Sequence, residues 1–239
     1  MVTPHWITIF RDLPAEGADA AADYWAAATG TRLSPWRGVH GEFASLLPVE
    51  GDPILRVQKV ADGPGGVHLD LHVRDPRTAA DEAIALGAVE VEDRGYVSLT
   101  SPGGIAFCFV SERLSRPPVT DVGGHRTAID QICLDLPAAR FRPELQFWSE
   151  LTGWTAGSSE RHPEFAWFEA PGLPVSIMVQ RLGEPTSVAR AHLDGRTSDL
   201  AAERARQEAL GAVVESNEGW LILRDPWGLP YCVIEQSDW

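Results

Sequence analysis

The chain has 239 residues, 44% of them apolar, with 34 acidic against 20 basic side chains and a formal net charge of −14. An apolar fraction of that size can build a sizeable core, while the negative charge repels phosphate backbones and anionic lipid, arguing against nucleic-acid and membrane partners and for a neutral or cationic small molecule. No apolar run approaches a bilayer span, residues 1–5 lack the basic and apolar regions of a secretion signal, and three cysteines without CxxC spacing argue against a disulfide framework, so a cytoplasmic protein is expected.

Residues 6–10, Trp-Ile-Thr-Ile-Phe, read as a short strand. An Ala-rich helix follows over 15–28 and ends at Gly30, where a left-handed cap carries little strain. Strands over 42–47 and 53–60 pair as a hairpin. Gly63-Pro64-Gly65-Gly66 then reads as a linker and not a phosphate loop, since a strand follows it with no Lys-Ser or Lys-Thr. Beyond it come a strand over 67–73, a helix over 76–86 closed by Gly87, and strands over 89–92, 96–100 and 105–110. A Pro-Pro and Gly-Gly stretch at 116–124 predicts a linker between domains 1–115 and 125–239. The same order then returns: strand 129–135, helix 138–151, strands 164–169 and 175–180, strand 191–197, helix 200–210, and strands through 234.

The second half repeats the first in residues as well as in order. His68-Leu69-Asp70 recurs 124 positions later as His192-Leu193-Asp194, and the same offset carries Ala85-Leu86-Gly87-Ala88-Val89 onto Ala209-Leu210-Gly211-Ala212-Val213 and Cys108 onto Cys232. Upstream the offset is 123, taking Asp12-Leu13-Pro14-Ala15 to Asp135-Leu136-Pro137-Ala138 and Trp25 to Trp148. One offset held over forty residues marks a duplicated domain. The expected fold is α+β, with each copy a pair of βαβββ units forming a curved mixed sheet around a cleft, because one such unit is too small to cover both of its sheet faces.

Trp148 with Thr152-Gly153-Trp154, His192-Leu193-Asp194 on a middle strand, and the ending Asp225-Pro226-Trp227-Gly228-Leu229-Pro230-Tyr231-Cys232-Val233-Ile234 together resemble the vicinal oxygen chelate superfamily. That superfamily includes glyoxalase I, bleomycin-resistance proteins and extradiol dioxygenases, and the likeness is closest to its glyoxalase-like branch. The resemblance implies tandem glyoxalase-like domains, in which the pairing of two domains can occur inside one chain, so a monomer or a homodimer is expected.

In metal-dependent members a divalent cation is held by a His or Gln on the first strand, a His on the middle strand and a Glu on the last. Carried over residue by residue, the resemblance implies Thr8, His68 and Cys108 in the first copy and Gln131, His192 and Cys232 in the second. Both copies lack the last-strand carboxylate. A thiol with an ordinary pKa of about 8.5 is mostly neutral and attracts a hard cation poorly, so no cofactor is expected, with a divalent metal conceivable at Gln131, His192 and Cys232 because zinc accepts a thiolate.

His68 and His192 fall where the cleft should lie. Each either bonds a neighbouring strand, as half-buried histidines commonly do, or acts as a general base or donor to a bound carbonyl. Asp70 and Asp194 stand two residues further on, so strand alternation puts each on its histidine's face. Trp25 and Trp148 are equivalent and read as core anchors, whereas Trp167 corresponds to Ser45 and Trp220 to Tyr96, so the two clefts differ in aromatic lining. Thr8, His68, Tyr96, Cys108, Gln131, Trp167, His192, Trp220 and Cys232 are therefore the candidate ligand-binding residues. The expected function is binding or sequestration of an aromatic or cationic small molecule by degenerate metal sites. The alternative is an enzyme of the lyase, isomerase or dioxygenase kind, metal-dependent or using His68 or His192 as acid/base.

Overall fold

A computed structural model describes residues 1–118, 124–183, 188–217 and 219–236, so residues 119–123 of the expected linker lie outside the described part. The first copy runs β1 (Trp6–Pro14), α1 (Ala18–Ala28), β2 (Arg32–Leu33), β3 (Phe43–Leu47), β4 (Leu55–Val60), β5 (Gly66–His72), α2 (Pro76–Ala85), β6 (Val89–Asp93), β7 (Val97–Thr100) and β8 (Ala106–Val110). The second runs β9 (Thr127–Leu136), α3 (Ala138–Thr152), β10 (Thr155–Ser158), β11 (Phe165–Glu169), β12 (Ser176–Arg181), β13 (Arg190–Thr197), α4 (Leu200–Leu210), β14 (Val213–Ser216), β15 (Leu221–Arg224) and β16 (Pro230–Glu235). No helix is long and apolar enough to cross a membrane among the described residues.

Each copy forms an open eight-stranded mixed sheet, in the order β2-β3-β4-β1-β5-β8-β7-β6 and, identically, β10-β11-β12-β9-β13-β16-β15-β14. In each sheet the middle strand lies parallel to the last: β5 pairs with β8 so that Asp70 faces Cys108, and β13 pairs with β16 so that Asp194 faces Cys232. The hairpin partners of these last strands are antiparallel, with Ser98 opposite Cys108 and Ile222 opposite Cys232.

The helices begin and end where local chemistry dictates. Asp75 caps α2 by accepting from Thr78 N at 3.1 Å, with Pro76 at the first helical position, and Asp199 caps α4 by accepting from Ala202 N at 2.9 Å. Gly211 closes α4 at φ 105°, a conformation that costs a residue with a Cβ. The strand expected over residues 6–10 continues to Pro14. A sequence scan stops at Arg11-Asp12, but Arg11 is 3% exposed, with its guanidinium donating to Asp225 Oδ2 at 2.7 Å and to the Gly66 carbonyl at 3.0 Å. β2 and β10 are short edge strands that the sequence pattern did not show.

By compactness the residues group into two units, each joining one part of each copy. The first holds Met1–Ile9, Val67–Ser115 and Ile132–Ala191; the second holds Phe10–Gly66, Arg116–Gln131 and His192–Trp239. Within the first, Trp148 of α3 is fully buried edge-on to Phe107, ring centroids 5.0 Å apart. Within the second, Trp25 of α1 meets Tyr231 in the same way at 5.2 Å. Both indoles donate to a buried carboxylate, and that carboxylate comes from different places. In the second unit Asp225 Oδ2 accepts from Trp25 Nε1 at 3.2 Å, while its Oδ1 accepts from the amides of Trp227 and Leu229. In the first unit the residue equivalent to Asp225 is Ser101, and Glu144 on the helix takes over: Glu144 Oε1 accepts from Trp148 Nε1 at 2.8 Å and Ser101 Oγ at 2.7 Å, and Oε2 from Gly103 N at 2.7 Å. Ser101 Oγ then accepts from Ile105 N. Two residues together satisfy the donors that one aspartate satisfies in the other unit, as buried amides require.

Candidate metal and substrate site

Strand alternation places His192, Asp194 and Arg196 on one face of β13, and the parallel register brings Cys232 beside Asp194. His192 is 9% exposed, and its Nε2 lies 3.2 Å from Asp194 Oδ1. One nitrogen of His192, one carboxylate oxygen of Asp194 and the Cys232 sulfur all lie within 4.8 Å of one another. Gln131 on β9 donates from Nε2 to Asp194 Oδ2 at 3.4 Å. Asp194 Oδ1 is shut away from solvent and makes no hydrogen bond of good geometry, the close imidazole notwithstanding. A buried carboxylate oxygen without a well-aligned hydrogen bond is costly, and a positive charge beside it, from a bound ion or from a protonated His192, would relieve it. Burial pushes the Cys232 thiol above its ordinary pKa; the hydrogen bond with His192 opposes this and the charge of Asp194 adds to it.

Arg196, one step further along the same face, donates from Nε to Asp130 Oδ2 at 2.8 Å. Burial raises the Asp130 carboxyl above the usual range, and the bonds and charge of Arg196 only partly pull it back. Neither residue was among those expected from the sequence. The alternation His192-x-Asp194-x-Arg196 was a legible signal for Arg196, but Asp130 is identified only by its contact.

The first copy assembles the same three donors, His68, Asp70 and Cys108, again with one atom each within 4.8 Å. Its surroundings differ. His68 Nε2 is 3.7 Å from Asp70 Oδ1, and Cys108 Sγ meets Ser98 Oγ at 3.4 Å. Tyr96 is half-buried; burial raises its phenol pKa, and the carboxylates Glu92 and Asp70 add to the shift while Arg94 opposes it. Thr8, the expected counterpart of Gln131, is fully buried and hydrogen-bonds His72 Nε2 at 2.7 Å. His72 occupies the position of Arg196, and its Nδ1 lies 3.0 Å from the Glu112 carbonyl. That carbonyl fixes the tautomer, so Nε2 accepts from the Thr8 hydroxyl.

The aromatic candidates divide. Trp167 is 39% exposed on β11, and its ring covers Gly157 on β10 so closely that a Cβ there would lie 2.4 Å from it. Trp220 is half-buried just before β15.

The glyoxalase-like domain family matches residues 8–110 and again 131–234. No curated protein matches the chain. Solved structures of the same fold include a Mn(II)-bound glyoxalase from Novosphingobium aromaticivorans, 12% identical with a TM-score of 0.70 over 100% of this chain and 84% of that one. A halotolerant catechol dioxygenase follows at 15% identity and a TM-score of 0.65, over 98% and 87%. The 2,2',3-trihydroxybiphenyl 1,2-dioxygenase of Sphingomonas wittichii is 14% identical with a TM-score of 0.59, over 100% and 93%.

These findings correct the expectation that no cofactor is needed. A Mn(II)-bound protein shares the fold over the whole chain, and each copy brings three metal-ligating side chains together. The expectation weighed only the carboxylate missing from the last strand, at Cys108 and Cys232. A carboxylate stands instead on the adjacent strand, at Asp70 and Asp194, next to the cysteine in register. With the family matched in both halves and the sheet order repeated, the chain belongs to the glyoxalase-like domain family of the vicinal oxygen chelate superfamily, in two tandem copies.

Proposed function

We propose that the chain is an enzyme of the vicinal oxygen chelate kind, acting on a small molecule with two neighbouring oxygen atoms, with its working site at His192, Asp194 and Cys232. The observation that carries this reading is the buried Asp194 Oδ1, left without a hydrogen bond between an imidazole and a thiol. A site evolved only to sequester an apolar compound has no use for such an arrangement, which costs stability unless a cation completes it.

A divalent ion bound there would polarise substrate oxygens as a Lewis acid. The protein's own residues do the rest. His192 and Asp194 present nitrogen and oxygen donors from one strand, Cys232 a sulfur from the next, and Gln131 steadies the second oxygen of Asp194. Arg196, held by Asp130, adds a positive charge on the same face, which favours a substrate with an anionic or enolic oxygen. The second copy is preferred over the first because Thr8 is committed to His72, whereas Gln131 reaches Asp194.

The test is elemental analysis of the purified chain, followed by turnover assays of the metal-loaded protein with catechols, following oxygen uptake, and with dicarbonyl compounds and their thiol adducts. A bound ion and turnover in one class, both lost in Asp194→Ala, are expected. Failure to bind any divalent ion overturns the reading and returns the chain to ligand sequestration, which tryptophan fluorescence titration would then detect.

A further inference from the structure

Resting on the reading above, we infer that the thiol of Cys232 sets the metal preference of the second site, which takes a borderline-soft ion of the zinc, cobalt or nickel class in place of a hard ion such as manganese or magnesium. The donors are mixed: a nitrogen from His192, an oxygen from Asp194 and a sulfur from Cys232, one atom of each within 4.8 Å of the others. Ligand atoms about 2.0–2.3 Å from a tetrahedral zinc-class ion stand about 3.3–3.8 Å from one another, so the three donor atoms, already within 4.8 Å of one another, would draw together on binding. Oxygen-only sets suit manganese and magnesium, whereas a thiolate favours ions that share its soft electron pairs.

The position of the sulfur also matters. Cys232 lies beside Asp194 in the parallel register, with the antiparallel neighbour opposite it, Ile222, supplying an apolar side chain. At the position where metal-dependent relatives carry a last-strand carboxylate this chain has the sulfur of Cys232. On binding, the Sγ–H bond breaks, its proton leaves to buffer, and the electron pair of the sulfur forms the bond to the metal, so one proton is released for each ion bound at this site. An ion without accessible redox steps, such as zinc, would confine the site to polarisation and proton transfer and exclude activation of oxygen.

The experiment uses the full chain carrying Cys108→Ser and Cys133→Ala, which leave Cys232 as the last of the three thiols, stripped with a chelator and titrated with cobalt(II), zinc(II) and manganese(II) salts alone. Cobalt is expected to give a near-ultraviolet sulfur-to-cobalt charge-transfer band, displaced by stoichiometric zinc but not by a 100-fold excess of manganese, with one proton released per ion. Adding Cys232→Ser should abolish the band and weaken zinc binding by more than about 100-fold; Cys232→Glu should abolish the band and bring manganese into competition. Manganese displacing cobalt at comparable concentration, or a band that survives Cys232→Ser, overturns the inference while leaving a metal-dependent enzyme standing. Failure of every ion to bind overturns both. If the Cys232 variants do not fold, the competition between cobalt and manganese on the chain carrying Cys108→Ser and Cys133→Ala decides alone.

Discussion

Asp194 Oδ1 lies 3.2 Å from His192 Nε2 on one face of β13, buried and without a hydrogen bond, while Asp194 Oδ2 is held by Gln131. A carboxylate in that position behaves differently from a scaffold residue when its charge is removed. Asp194→Asn keeps the shape and an acceptor for Gln131, so thermal stability should change by less than about 1 kcal/mol, a shift of roughly 2–4 °C in Tm. Affinity for a divalent ion should fall by more than about 100-fold. Calorimetric titration with zinc alongside thermal unfolding separates the two; a large loss of stability with unaltered ion binding would make Asp194 a structural residue.

The buried pair of Arg11 and Asp225 makes a prediction about compensation. Arg11→Met strips the partner from a carboxylate that is 2% exposed, and removing one member of a buried ion pair costs about 3–5 kcal/mol. In the other unit the positions of Arg11, Asp225 and Ala21 are held by Leu134, Ser101 and Glu144. The triple variant Arg11→Leu, Asp225→Ser, Ala21→Glu transplants that solution and should recover most of the loss in urea unfolding. A triple variant no more stable than Arg11→Met would show that the two arrangements are not interchangeable.

Much of this was legible in the residues and some was not, for a physical reason. The repeat offsets implied two sheets of one order, and strand alternation placed Asp70 and Asp194 beside their histidines. Alternation says which face a side chain takes; it does not say what lies across from it on another strand. So the engagement of Thr8 by His72, the pairing of Arg196 with Asp130, and the carboxylate supplied next to each cysteine by the adjacent strand emerged only with the register. The ending of β1 was misread at Arg11 because a buried arginine is tolerated only with a partner, and that partner lies 214 residues away.

Thr8 and His72 are both fully buried, and the Thr8 hydroxyl is bonded to His72 Nε2. Thr8→Val keeps the volume but leaves the imidazole nitrogen without that bond, which should cost about 1–3 kcal/mol. Thr8→Ser keeps the hydroxyl and should cost less than Thr8→Val by about 1 kcal/mol or more. Chemical denaturation of the two variants checks this. Equal losses from both would mean that the methyl group, not the hydroxyl, is what Thr8 contributes, and Thr8 would return as a candidate for the first-copy site.

Glu144 and Glu203 should give opposite pH dependences. Burial raises Glu144 above its ordinary 4.5, and the bonds from Ser101, Trp148 and Gly103 do not fully oppose it. The folded protein therefore keeps a proton on Glu144 at pH values where the unfolded chain has released it, so the stability linked to this group is full below 4.5 and is lost as pH rises through the folded value. Glu203 is also pushed up by burial, but the bonds from Arg206, Gln207 and His125 outweigh this and bring it below 4.5. Its contribution is present above 4.5 and is lost as pH falls through the folded value. The difference in Tm between the unsubstituted chain and Glu144→Gln should shrink as pH rises through that window, while the difference for Glu203→Gln should grow. Two parallel curves would mean that the two carboxyls titrate alike when folded, and that the ion and hydrogen-bond partners of Glu203 do not offset its burial.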